Sequence, residues 1–336
     1  MSTLTSFGND TSTAEIVDYT VSNWQTRTSA ADNQWSGMAW NGTLFAAVAQ
    51  GTAVAQVMTS PDGITWTSRT AAAANQWQGI AWNGTVFAAV AQSGTGNRVM
   101  TSPDGITWTS RTSAADNSWR AIAWNGTVFA AVSNSGTGNR VMTSPDGITW
   151  TSRTSAADNS WYGIAWNGTV FAAVANSGTG NRVMTSPDGI TWTIRTSAAD
   201  NSWIGIAWNG TVFAAVGISG TGNRVMTSPD GITWTSRTTP ADNGWWAIAW
   251  NGTVFCATDR GGASGTVMTS PDGITWTLRT ADRFTADGYC IAWNGLGTGT
   301  TLLLPAAGTG TVFAVGLFSG TGNRVMTNLF YKRDAT

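Results

Sequence analysis

Between residues 119 and 160 the apolar positions come in short runs broken by polar turns: WRAIAW, then NGT, VFAAV, SNSGTGNR, VMT, SPDG and ITW. The runs are too short for an amphipathic helix, and none repeats at helical spacing. They predict four strands per unit: A, Trp119–Trp124; B, Thr127–Val132; C, Arg140–Ser144; and D, Ile148–Arg153. Asn125-Gly126 between two apolar runs is a strong short hairpin signal, and it would set Trp124 opposite Thr127 and Arg120 opposite Ala131. Pro145-Asp146-Gly147 suits a type I turn followed by a glycine. Apolar residues fall on both alternations of the strands, as in a sheet covered on both faces.

The unit recurs. Tryptophans of the AWN motif stand at 40, 82, 124, 166, 208 and 250, then at 293, a spacing of 42 for the first six. A period of about 40–45 residues with aromatic markers is that of a four-stranded propeller blade. Seven AWN motifs predict an all-β, seven-bladed β-propeller of four-stranded antiparallel blades with 42-residue repeats. The last unit ends at VMTN without the SPDGITWTSRT that follows elsewhere, whereas VSNWQTRT at 21–28 aligns on GITWTSRT. The N-terminal strand is therefore expected to pair into the last blade and remove an open edge. The division expected is a tail over 1–20, one propeller over 21–328 and a second tail over 329–336. The last blade carries an insertion, Leu296–Gly310, in its first turn.

Composition narrows the chemistry. The chain of 336 residues has no histidine, one glutamate (Glu15), 10% charged residues and a net charge of −1. Histidine-based triads and histidine-ligated metals are excluded, and no cofactor or metal is expected. Nothing draws it electrostatically to nucleic acid or an anionic membrane. Cys256 and Cys290 read as buried thiols. With neither a signal-like N-terminus nor a membrane-spanning run, the expectation is a soluble chain with no membrane insertion, cytoplasmic or assembled onto a particle.

The segment TSPDGITWT, present in six copies, resembles a shortened Asp-box, the S-x-D-x-G-x-T-W turn of sialidase-type propellers. In blade number and Trp-rich repeats the chain also resembles seven-bladed bacterial lectins. The box is one residue short between Asp and Gly. In that family it is a structural turn, so the resemblance implies a non-catalytic propeller. Most arginines recur in every repeat, as structural residues do, and the protein is read as not an enzyme.

Four consecutive units, 77–118, 119–160, 161–202 and 203–244, are identical at 34 of 42 positions. The eight that differ are Arg120, Ala121, Ser133, Asn134, Ser152, Ser155, Ala156 and Ser160 in the second unit, and antiparallel strands bring them to one end of the blade. One position reads Gln78, Arg120, Tyr162, Ile204, Trp246 and Tyr289; a companion reads Asn134, Asn176, Ile218, Arg260 and Phe318. No repeated core pocket accepts that range of volumes, so these side chains are expected to face an opening. The expected function is recognition of a protein or cell-surface glycan through this variable face, as a receptor-binding or decoration component of a phage or other particle. Leu296–Gly310 and the termini would join it to a larger assembly. The alternative is a multivalent lectin with a repeated pocket built on Trp77, Trp119, Trp161, Trp203 and Trp245.

Overall fold

Phe129, Ala130, Ala131 and Val132 are all fully buried, because successive side chains leave opposite faces of a strand and both faces here are covered. A computed structural model describes residues 25–51, 54–260, 266–279, 288–293, 310–317 and 325–331. The insertion over 296–309, residues 1–24 and residues 332–336 lie outside the described residues, whereas residues 329–331, expected in the second tail, belong to a strand. In blade 3 the strands are A Trp119–Trp124, B Phe129–Ser133, C Val141–Ser144 and D Thr151–Arg153, antiparallel and in chain order. The same plan holds from blade 1, which begins at Gln34, to blade 6, which ends at Arg279. Each strand A touches strand A of the next unit, so the A strands line the axis.

The sequence predicts seven copies of one blade; the structure holds six blades built from four consecutive strands. The strands left over form a four-stranded closing sheet of different construction: Gly288–Trp293, Gly310–Leu317, Val325–Tyr331 and Gln25–Arg27. It stands between blades 6 and 1. The reason is local: Asn328, Leu329 and Phe330 replace Ser-Pro-Asp, so the third strand runs on to Tyr331 instead of turning. Its partner comes from the other end of the chain. Arg27 pairs with Val325 just as Arg153 pairs with Val141 inside blade 3.

Large side chains of one blade meet small ones of the blade before. Trp119, Ile122, Phe129, Met142 and Trp150 of blade 3 pack on Ala88, Val90 and Val99 of blade 2. The same pairing joins blade 4 to blade 3 through Trp161 and Phe171 against Ala130, Val132 and Val141. Removing one such Phe or Trp side chain costs about 3–5 kcal/mol.

Two turns differ from a bare reading of their residues. Trp124 pairs with Phe129, not Thr127, so the Asn-Gly turn is a four-residue loop and strand B begins two residues late. Asn125 Oδ1 accepts from the Thr127 and Val128 amides (2.9 and 2.7 Å) and from the Thr127 hydroxyl (2.9 Å), which draws both residues into the loop. In the second turn the Ser144 hydroxyl accepts from the Gly147 amide (2.8 Å), and Asp146 Oδ1 accepts from the Ile148 and Thr149 amides (2.8 and 3.0 Å). Gly147 has φ +77°, and its carbonyl accepts from Trp150 Nε1 at 2.8 Å. Strand D accordingly starts at Thr151 rather than Ile148.

Candidate functional site

Every strand A carries a bulge near its start. In blade 3 the register slips between Trp119 and Ala121, leaving Arg120 as the extra residue, so Arg120 does not sit opposite Ala131; Ile122 does. The same slip occurs at Ser36, Gln78, Tyr162, Ile204 and Trp246, and in the closing sheet at Tyr289. A bulge re-aims the extra side chain. Here six of these residues, Ser36, Gln78, Arg120, Tyr162, Ile204 and Trp246, line a cavity of about 210 Å³ at the centre of the ring. The position that varies most is thus the one the bulge turns toward the axis. Tyr289 holds the equivalent backbone position; its side chain, and Phe318, lie outside the described residues.

Glycine after the bulge lets neighbouring inner strands approach. A Cβ on Gly163 would stand 2.5 Å from the Ile204 carbonyl oxygen, and one on Gly37 2.6 Å from that of Gln78. Blades 3 and 6 carry Ala121 and Ala247 instead.

The ring residues interlock on one side of the opening. Arg120 Nη1 donates to Gln78 Oε1 at 3.2 Å, and the guanidinium carbon lies 5.1 Å from the centre of the Tyr162 ring. Asn134 stands between them. Its carbonyl oxygen accepts from Arg120 Nη2 (2.9 Å), Arg120 Nε (3.0 Å) and the Tyr162 hydroxyl (3.2 Å), while its nitrogen donates to the Ser118 carbonyl at 3.2 Å. Tyr162 meets Trp246 edge to face, centroids 6.3 Å apart at 81°, and Arg260 lies 4.4 Å above the Trp246 ring. Ile204, between those blades, is buried at 5% exposure.

The companion residues continue the strand A–B pairing past the bulge. The amides of Asn134, Asn176, Ile218 and Arg260 donate to the carbonyls of Ser118, Ser160, Ser202 and Gly244, at 2.8–3.2 Å. All four are half-buried at the same end of the channel as the bulges. Sequence reasoning placed both series at one end; it missed the bulge, because Trp-Arg-Ala and Trp-Tyr-Gly carry no local mark of an extra residue.

The repeated lectin pocket is corrected. Trp77, Trp119, Trp161, Trp203 and Trp245 have no exposed surface, and the indole of Trp119 donates to the Ala115 carbonyl at 3.1 Å. They are the large half of each blade interface and offer no face to a sugar. The recurring arginines are structural too. Arg140 Nε donates to the Gly136 carbonyl at 2.8 Å and lies 3.6 Å from Asp158, which also caps the Gly138 amide at 2.7 Å. Arg98, Arg182 and Arg224 repeat this pairing with Asp116, Asp200 and Asp242. Cys290 lines the cavity and is buried, its Sγ 3.7 Å from the Trp35 carbonyl.

No family model matches the chain, and no curated protein does. Among solved structures it is similar to virginiamycin B lyase from Staphylococcus aureus, with a TM-score of 0.70 at 12% identity over 92% of this chain and 99% of that one. It is similar also to YCF48 bound to D1 peptide (TM-score 0.64, 15% identity, 93% and 98% covered). A third is Sqt1 from Saccharomyces cerevisiae (0.59, 9%, 94% and 100%). At such identities the likeness is one of fold. It is an all-β propeller fold. The expected kinship with Asp-box sialidases and seven-bladed lectins is corrected accordingly: a lyase and two propellers of other kinds align over nearly their whole length. Similar structures thus include an enzyme as well as a protein solved with a peptide. Among the described residues no helix is long and apolar enough to cross a membrane.

Proposed function

We propose that this protein is a non-enzymatic recognition module with one composite site, the channel mouth formed by Gln78, Arg120, Asn134, Tyr162, Trp246 and Arg260, and that it binds a protein segment there. The observation that carries this reading is convergence. Blades copied almost residue for residue differ at positions that meet around one opening, where the differences are Arg, Tyr and Trp in mutual contact. Such residues dominate binding energy where they cluster at the centre of an interface. A fold shared with a protein bound to a peptide supports the choice of ligand. Attachment to a phage or other particle through residues 296–310 and the chain ends extends the reading, on the strength of the apolar Thr-Leu-Leu-Leu-Pro run alone.

A display screen with random peptides, followed by isothermal titration of a selected peptide, tests it. One site per chain is expected, lost in Trp246→Ala. Six equivalent sites, or full affinity in that variant, would overturn it. A cell-surface glycan is the second reading, favoured by the half-buried Trp246 indole; a parallel glycan array reads it directly.

A further inference from the structure

We infer that the cavity beneath the mouth is a carboxylate subsite, and that the protein segment recognised there anchors itself by an acidic group. This rests on the recognition reading above and adds the chemistry of the anchor.

Arg120 is the sole charged side chain lining the cavity among the described residues. Its guanidinium has five N–H groups. Three are engaged by two neutral oxygens: Gln78 Oε1 accepts one and the amide oxygen of Asn134 accepts two, and no carboxylate is among these partners. Amide oxygens hold the fork in place without compensating its charge. A cation withdrawn from water into a cavity favours an incoming anion.

Gln78 supplies the second donor. It is buried at 6% exposure and lines the cavity, and its Nε2 is buried with no hydrogen-bond partner. The amide cannot be reversed to relieve this, because Arg120 requires the oxygen on its own side. Nε2 is thus an unpaired donor next to the guanidinium. Nε2 has no exposed surface, so a shift of the Gln78 side chain brings it to the cavity wall; one carboxylate would then accept from it through one oxygen and from the remaining Arg120 N–H groups through the other. A neutral acceptor would satisfy Gln78 and leave the charge as it was. Gly79 and Ala121 line the cavity beside these groups.

The test uses the full chain carrying 3-fluorotyrosine, whose Tyr162 resonance reports on the stacked Arg120 and is assigned with Tyr162→Phe. Propionate, which is the glutamate side chain alone, is expected to shift that resonance saturably at one site, and propionamide, its uncharged amide, to leave it unmoved. Arg120→Gln, which copies the residue of blade 2, is expected to weaken the carboxylate at least about tenfold. Arg120→Lys should recover part of that, the charge without the fork. Equal shifts from the acid and the amide, or an unchanged affinity in Arg120→Gln, would overturn the inference. Peptides with an internal glutamate and an amidated end, against peptides with a free C-terminal carboxylate, decide which acid is taken; either supports it. Tighter binding of a sialoside than of both would overturn the assignment to a protein segment. The two readings fail separately. Carboxylate binding with no peptide partner in the screen sinks the recognition site and leaves the subsite. A selected peptide whose affinity ignores its acidic groups does the reverse.

Discussion

Trp245 and Trp246 are adjacent in one strand, yet replacing each by alanine should have opposite consequences. Trp245 has no exposed surface and packs on Ala214, Val216 and Val225 of the preceding blade and on Phe255 and Met268 of its own. Its indole N–H donates to the Ala241 carbonyl at 3.2 Å. Truncation empties an inter-blade pocket that rigid neighbouring strands cannot refill, so the loss expected is about 3–5 kcal/mol. Trp246 is turned to the channel by the bulge and is half-buried. Its stacking under Arg260 contributes about 0.5–1 kcal/mol and its edge contact with Tyr162 about as much, so Trp246→Ala should cost no more than about 2 kcal/mol. Urea unfolding followed by far-UV circular dichroism measures both variants against the parent. Peptide titration then separates them again, since Trp246→Ala should keep its fold and lose its ligand. Equal destabilisation by the two changes would refute the assignment of one tryptophan to the core and the other to the site.

Gly163→Ala should destabilise by about 1–3 kcal/mol, because the new methyl meets a backbone oxygen that cannot give way. Gly79→Ala, whose nearest contact would be 3.1 Å, should cost clearly less; matched melting temperatures for the two would show that the inner strands can separate. Acid should loosen all six Ser-Pro-Asp-Gly turns together. At Asp146 burial raises the carboxyl pKa, but the Thr149 and Ile148 amides and the Ser144 hydroxyl outweigh it and hold the group below its ordinary 3.8. At Asp104 the Thr107 amide is the largest influence, with the same net direction. A lowered native pKa gives stability that is complete above the unfolded value and is lost as pH falls through the native one. The urea midpoint should therefore fall as the pH drops below about 4. Asp146→Asn should be less stable at neutral pH and lose less on acidification, and an unchanged acid slope would remove the turn from the account.

Local chemistry announced much of this molecule. The 42-residue period, the two turn motifs and the apolar runs gave strand A of blade 3 to the residue, and antiparallel order put the varied positions at one end. Three things were hidden, each decided by a contact distant in sequence or by a side chain bonding its own backbone. Asn125 captures two further residues into its loop, which moved the hairpin register. The bulge at Arg120 shows only in the pairing of strands A and B, which slips between Trp119 and Ala121. The two tryptophan series look alike as letters, and only packing shows that Trp119 belongs to the interior while Trp246 faces the mouth. The blade count differed because the sequence counts motifs, and a seventh AWN does not bring a seventh turn with it.

The closing sheet also sets the order in which this protein can be completed during its own synthesis. Each of the six blades uses four consecutive strands, so each can form as soon as its segment leaves the ribosome. Gln25–Arg27 is made before any of them, yet its partner Val325–Tyr331 lies roughly 300 residues later. Through most of elongation the growing arc has two raw ends, the outward face of blade 1 and the newest blade, and a short strand with nothing to pair with. Emergence of Val325–Tyr331 converts that arc into a ring in one event.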